Sequence, residues 1–100
     1  MIIIFTMLAR SDIDGIVKYI GSELRNPTAA NNLLEKITKR VKVLGQFPEV
    51  CSFIKINNKL TQSRYLVVDN YLLLYVIRHE TLYITHIVYG RSDYLKFLAE

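Results

Sequence analysis

The fold is decided by the stretch RYLVVDNYLLLYVIRHETLYITHIVYGRSDYLKF, which runs from Arg64 to Phe97. Three runs rich in Val, Ile, Leu and Tyr are separated by two polar pairs, Asp69-Asn70 and His79-Glu80. Two-residue gaps suit tight antiparallel hairpins because Asp and Asn tolerate the positive φ of a primed turn, whereas His-Glu is a weaker turn signal. The middle run, residues 71–77, lacks polar alternation, so it is predicted to be a central strand covered on both faces.

The N-terminal part of the chain predicts a strand followed by an amphipathic helix. Residues 2–6 are β-branched and aromatic, which is typical of a strand, and both an edge and an inner position in the sheet are open to it. Ser11 and Asp12 supply side-chain oxygens that can cap a helix. One apolar stripe at helical spacing follows, consisting of Ile13, Ile16, Val17, Ile20 and Leu24.

A second amphipathic helix is predicted to begin at Asn26-Pro27, since Asn can cap a helix and Pro suits its first position. Gly45 followed by Pro48 marks its end. Its apolar stripe consists of Ala30, Leu33, Leu34, Ile37, Val41 and Leu44. We expect the two helices to form a hairpin that buries both stripes against the sheet.

The remaining segments complete an α+β fold. A strand is predicted over residues 51–56, a turn at residues 57–59, and a resumed strand near Ser63. Ser92 or Asp93 can cap a short C-terminal helix over residues 94–99. The predicted architecture is therefore an N-terminal strand, a two-helix hairpin packed on a twisted antiparallel sheet and a short C-terminal helix, in a single domain of residues 1–100.

The composition argues against several classes of protein. Apolar residues make up 51% of the chain, so it is not a disordered sequence, and no apolar run approaches the roughly 20 residues of a membrane span. Cys51 has no partner for an internal disulfide, and residues 1–5 lack a basic leader and a cleavage site, which fits a cytoplasmic protein. No motif indicates a metal or a cofactor. The net charge of +4 permits an acidic partner without requiring one.

Basic and aromatic side chains interleave along the sheet segment, which suits a surface that contacts nucleic acid or a peptide. Strict alternation predicts one strand face made of Leu82, Ile84, His86 and Val88. On such an apolar face, a histidine in or just below the core is favoured over a general acid or base. Arg64 and Arg91 flank the segment, and each is either a solvated or ion-paired residue or a direct functional contact.

Five segments, in order, resemble the motifs of one family. They are residues 12–20 (an acidic-aliphatic helix ending in Tyr-Ile), 26–30 and 44–48 (the second-helix boundaries), 64–75 (the central hairpin) and 88–95 (the closing Gly-Arg motif). Over nearly its whole length the chain resembles toxins of the RelE/ParE superfamily, from type II toxin–antitoxin modules. The resemblance implies two helices packed on a twisted antiparallel sheet. It also implies a cognate antitoxin, whose C-terminal segment wraps the toxin in a hetero-oligomer.

The superfamily includes two activities. RelE-like members cleave mRNA in the ribosomal A site, where basic residues hold phosphates and a Tyr, His or Glu assists proton transfer. ParE-like members poison DNA gyrase. Leu72 stands where RelE-like nucleases often carry Arg, Ser92 stands where a second basic residue is common, and Phe97 has no hydroxyl. We therefore expect a ParE-like gyrase inhibitor, with a ribosome-dependent mRNA endoribonuclease and an inactive binding module of the same fold as alternatives.

The resemblance also implies a set of site residues, with no metal and no cofactor. The catalytic candidates of the nuclease alternative are Arg91, Arg64, Tyr94 and His86. The predicted contacts to a protein or nucleic-acid target are Lys55, Lys59, Arg64, Tyr89 and Arg91. Arg91 follows Gly90, where the chain turns, and is the strongest candidate under either toxic reading. We expect Arg91→Ala to spare folding, because removing a solvated arginine costs little.

Overall fold

The computed structural model describes residues 1–90 of the chain. Its elements in order are β1 (Ile2–Phe5), α1 (Met7–Lys18), a π-helical turn (Tyr19–Glu23), α2 (Pro27–Gln46), β2 (Phe53–Ile56), β3 (Lys59–Val68), β4 (Tyr71–Arg78) and β5 (Thr81–Tyr89). The strands form one sheet of order β1-β5-β4-β3-β2. The predicted C-terminal helix lies outside the described residues.

The sheet is mixed. β2 to β5 form an antiparallel meander, whereas β1 runs parallel to β5, with Ile2 opposite Thr81 and Phe5 opposite Ile84. β1 therefore occupies the edge of the sheet beside β5, which settles the position that the sequence left open. The prediction of an antiparallel sheet holds for the meander and fails for β1. Parallel pairing needs a long crossover, and the helices and the meander between β1 and β5 supply it.

β4 is the central strand, as predicted, because it lies between β3 and β5. Four successive residues, Leu72, Leu73, Leu74 and Tyr75, are buried, so both faces of the strand are covered. Leu73 and Tyr75 pack in the main core with the helices. Leu72 and Leu74 pack in a second cluster with Ile54 and Val88 on the other face, which we call the open face because neither helix packs there.

The three hairpin turns within residues 1–90 each contain two residues. Asp69 has φ 52°, and both residues of His79-Glu80 have positive φ, so the weaker turn signal also forms a hairpin. The turn after β2 consists of Asn57-Asn58, with φ values of 52° and 64°. β3 therefore begins at Lys59, and the prediction that the strand resumes near Ser63 is wrong. Paired asparagines tolerate the left-handed region well enough to form this two-residue turn.

α1 begins earlier than predicted. Its N-cap is Thr6, whose Oγ1 accepts a hydrogen bond from the backbone N–H of Ala9 at 3.2 Å, so the prediction of Ser11 and Asp12 as caps is wrong. Asp12 lies in the second turn of the helix, and its Oδ2 accepts from the backbone N–H of Ile87 at 2.9 Å. β1 ends opposite Ile84, so Asp12 takes the place of a strand partner for that N–H.

α2 follows the prediction at its start, where Asn26 Oδ1 accepts from the backbone N–H of Ala29 at 3.1 Å. Its buried residues are Ala30, Leu33, Ile37, Val41 and Leu44. Gly45 does not end the helix, which continues to Gln46. A Cβ at Gly45 would lie 2.7 Å from Cδ1 of Ile3, so this glycine lets β1 approach the helix closely.

Candidate functional site

Arg64 holds the connection between α2 and β2. Its Nη1 donates to the carbonyl oxygens of Glu49 at 3.1 Å and Cys51 at 2.7 Å. Its Cζ lies 3.8 Å from the centroid of the Phe53 ring. Two carbonyl oxygens and an aromatic face thus compensate the guanidinium charge, and the side chain fastens β3 to the segment that enters β2.

Tyr75 fastens the same connection from inside the core. Its hydroxyl donates to the carbonyl oxygen of Pro48 at 2.9 Å, and its side chain is fully buried. Burial, and then the neighbouring Cys51, raises the pKa of Tyr75 above its ordinary value. The phenol is therefore a neutral structural donor at physiological pH and not a proton-transfer group.

Cross-strand pairing separates Arg64 from His86. Arg64 pairs with Tyr75 on the helix side of the sheet, whereas His86 pairs with Leu74, which belongs to the open face. Tyr65 pairs with Leu74 from the other neighbouring strand, so Tyr65, Leu74 and His86 form a row across the open face. The two nuclease candidates in the described chain therefore lie on opposite faces of the sheet.

The position of His86 differs from the predicted face because β5 contains a bulge. Leu74 pairs with His86 but Tyr75 pairs with Ile84, so Thr85 is an extra residue that reverses the alternation. Leu82 and Ile84 accordingly lie in the core beneath the helices, whereas Val88 lies in the open-face cluster. The prediction that His86 shares a face with Leu82 and Ile84 is therefore wrong. The prediction that it shares a face with Val88 is confirmed.

The open face carries a groove of about 560 Å³. Its lining consists of Ser52, Phe53, Ile54, Lys55, Tyr65, Val67 and Leu72. Val67 is 48% exposed, and Lys55 is the one charged residue in this lining within the described part of the chain. An aromatic and aliphatic floor with one cation at its edge suits a protein surface better than a chain of phosphates.

The other predicted contacts are dispersed. Lys55 and Lys59 lie at the β2–β3 hairpin, where Lys59 pairs with Ile56. Tyr89 ends β5 and lies opposite Tyr71 at the far end of the sheet. Arg91 and Tyr94 lie outside the described residues. Within residues 1–90, no group of three potential His, Cys, Asp or Glu metal ligands occurs, and no helix is both long and apolar enough to cross a membrane.

A second groove, on the helix side, was not anticipated from the sequence. It lies between α1 and the ends of β4 and β5, and its aromatic lining is Tyr19, Tyr71 and Tyr89. These three tyrosines are distant in sequence, so no local motif connects them. The mild excess of tyrosine, seven in the chain, was the only available signal.

This architecture is similar to that of solved structures. The structure described as the chromosomal ParDE TA system from P. aeruginosa is similar, with a TM-score of 0.75 and 19% identity over 91% of this chain and 97% of that chain. The toxin–antitoxin complex RelBE2 from Mycobacterium tuberculosis matches at a TM-score of 0.46 and 19% identity, over 92% of each chain. No curated protein matches the sequence. The fold, two helices on a five-stranded mixed sheet with an N-terminal edge strand, is that of the first of these structures.

The family follows from the sequence model. The model described as the ParE toxin of the type II toxin–antitoxin system, parDE, matches residues 3–94. The chain therefore belongs to the ParE toxin family of type II toxin–antitoxin systems. The resemblance to RelE/ParE toxins, and the preference for the ParE-like branch, are confirmed.

Proposed function

We propose that this toxin inhibits DNA gyrase by binding it, and that a cognate antitoxin neutralises the toxin in the cytoplasm by forming a hetero-oligomer with it. The observation that carries the proposal is the placement of Arg64, whose guanidinium is engaged by two carbonyl oxygens and Phe53 on the helix side of the sheet. A nuclease needs its cations and its proton-transfer group around the same phosphate. Arg64 and His86, on opposite faces, do not meet that requirement together.

The groove of the open face is the proposed contact with gyrase. Tyr65 and Val67 are exposed there, and Lys55 borders them. Protein interfaces favour such aromatic and aliphatic centres with a charged rim. On this proposal Lys55 and Lys59 contribute to the rate of association more than to the stability of the complex, because exposed charges at a rim mainly steer the encounter.

A supercoiling assay with purified gyrase tests the proposal. Wild-type toxin should inhibit supercoiling, and Val67→Lys should weaken the inhibition by about tenfold or more, since it places a charge in the groove. Val43→Lys is the matched control, because Val43 is exposed on α2, away from the groove. Absence of inhibition by saturating wild-type toxin would exclude gyrase as the target.

Two further assays separate the alternatives. Primer extension on translated mRNA should show intact message, and codon-phased cuts that disappear in Arg91→Ala would instead establish the endoribonuclease. Expression without the antitoxin should stop growth, and unchanged growth would favour an inactive binding module. Co-purification of the toxin with the product of the neighbouring reading frame tests the antitoxin partner directly.

A further inference from the structure

The helix-side groove lies apart from the open face and has a distinct chemical character. Its volume is about 670 Å³. Its lining consists of Ser11, Asp12, Gly15, Ile16, Tyr19, Ile20, Leu24, Tyr71, Ile87 and Tyr89. Among these described residues Asp12 is the one charged group, so the lining of the groove is acidic in a protein whose net charge is +4.

The groove exists because α1 ends in a wide turn and carries a glycine on this side. In the π-helical turn, the backbone N–H of Leu24 donates to the carbonyl of Tyr19 at 3.0 Å, and that of Asn26 donates to Ile20 at 3.0 Å. π-Helical turns widen a helix locally and are frequent at functional sites. A Cβ built at Gly15 would meet no atom within 4 Å, so the space above this residue is open.

Aromatic rings form the wall of the groove opposite α1. Tyr71 and Tyr89 pack edge to face, with ring centroids 5.4 Å apart and planes at 74°. Burial, and then the phenols of Tyr89 and Tyr19, raises the pKa of Tyr71, so its ring stays neutral. Tyr19 is 47% exposed at the mouth. Neutral tyrosine faces attract cations through the ring quadrupole.

Two further features favour positive charge in the groove. Asp12 uses Oδ2 to accept from Ile87, and a carboxylate has four lone-pair sites in all, so it can also accept from a guanidinium. The last carbonyls of the helical segment that ends at Glu23 carry partial negative charge, which favours a cation near the end of a helix. A phosphate or a carboxylate would be repelled by the same groups.

We propose that this groove binds an arginine side chain presented by a polypeptide partner. Arginine fits better than lysine because its planar guanidinium stacks on tyrosine rings and pairs with a carboxylate through parallel hydrogen bonds. A polypeptide source is indicated by Leu24, which is 56% exposed at the rim and offers an apolar contact for the residue beside the arginine. The site does not depend on gyrase as the target, since it lies on the other side of the sheet.

A peptide titration followed by NMR tests the site on the isolated toxin. The probe is N-acetyl-Leu-Arg-Leu amide, and the control peptide carries citrulline, which is isosteric with arginine but uncharged. Saturable shifts of the Tyr19, Tyr71 and Tyr89 ring resonances are expected, with the arginine peptide binding about tenfold more tightly than the citrulline peptide at low salt. Equal affinities, or no ring shifts, would overturn the proposal, and so would tighter binding of a norleucine peptide, which would mark the groove as an apolar site.

Two variants localise the effect. Asp12→Asn keeps an oxygen that can accept from Ile87 but removes the charge, so it should reduce the preference for arginine over citrulline, of which the tyrosine faces keep a part. Gly15→Leu places a side chain in the open space of the groove and should block both peptides, whereas Arg10→Leu, on an exposed position of the same helix, should not. Undiminished arginine selectivity in a folded Asp12→Asn protein would overturn the assignment of Asp12. The comparison of the two peptides on the wild-type protein tests the proposal even if a variant fails to fold.

Discussion

Replacing Arg64 should destabilise the protein, because its guanidinium joins β3 to the segment before β2. A hydrogen bond to a charged group contributes about 1.5–3 kcal/mol, and Arg64 makes two, to Glu49 and Cys51. Its contact with Phe53 adds about 0.5–1 kcal/mol. These contributions are not additive, and the partly exposed side chain is hydrated when unfolded. We therefore expect Arg64→Ala to lower the free energy of unfolding by about 2–3 kcal/mol.

Urea denaturation followed by circular dichroism measures this loss. Arg64→Lys should recover only part of it, since an ammonium lacks the planar face that stacks on Phe53. Lys55→Ala is the control, because Lys55 is exposed on the neighbouring strand and should change the free energy of unfolding by less than about 0.5 kcal/mol. Amide exchange at Tyr65, whose N–H donates to Ser52 at 3.2 Å, should accelerate in Arg64→Ala but not in the control.

A small effect of Arg64→Ala would refute this reasoning. A loss below about 0.5 kcal/mol would mean that the contacts to Glu49 and Cys51 contribute no more than an ordinary surface side chain. The engagement of the Arg64 guanidinium would then no longer argue against a nuclease, and only its separation from His86 across the sheet would still do so. The measurement of stability thus tests one of the two observations behind the functional proposal without any knowledge of the target.

Substitutions at three other residues follow from the same geometry. Burial raises the pKa of Tyr75 above its ordinary value of 10.0, so above about pH 10 the folded state keeps a proton that the unfolded state loses. The free energy of unfolding should therefore fall by about 1.4 kcal/mol per pH unit above about pH 10. Tyr75→Phe should remove this contribution to the pH dependence of stability, as measured by urea titrations at several pH values. At neutral pH Tyr75→Phe should cost about 1–2 kcal/mol, because it deprives the Pro48 carbonyl of its donor. Asp12→Ala should cost about 1–3 kcal/mol and accelerate amide exchange at Ile87, with a smaller effect for Asp12→Asn. Gly90→Ala should cost about 1 kcal/mol in thermal denaturation, because Gly90 has φ +61° although its surroundings leave room for a methyl group.

The sequence predicts the centre of the fold well because local rules determine it. Turn residues and unbroken apolar character were sufficient to identify residues 71–77 as the middle strand, and the cap and proline at Asn26-Pro27 located the start of α2. The start of α1 was harder to predict from the sequence. Met7 is 88% exposed and Leu8 is also exposed, so the first turn lacks the apolar pattern that marks a helix, and Ser11 and Asp12 offered a false cap.

The faces of the site could not be predicted reliably from alternation, because one residue in β5 changes them. Thr85 is bulged, and its carbonyl accepts from Thr6 Oγ1 at 3.1 Å while its own Oγ1 donates to the Leu74 carbonyl at 3.1 Å. One hydrogen-bond partner of the bulged residue is thus 79 positions away in sequence, where β1 ends and α1 begins. A period of two, read through such an insertion, wrongly assigns His86 to the face of Leu82 and Ile84. The pairing of β3 with β4 has no bulge from residue 64 to residue 68. Arg64 therefore lies on the same face of the sheet as its partner Tyr75. His86 pairs with Leu74, the residue before Tyr75, and successive residues of a strand point to opposite faces. The separation of Arg64 and His86, on which the proposal of a binding toxin depends, therefore follows from their pairing with two adjacent residues of β4.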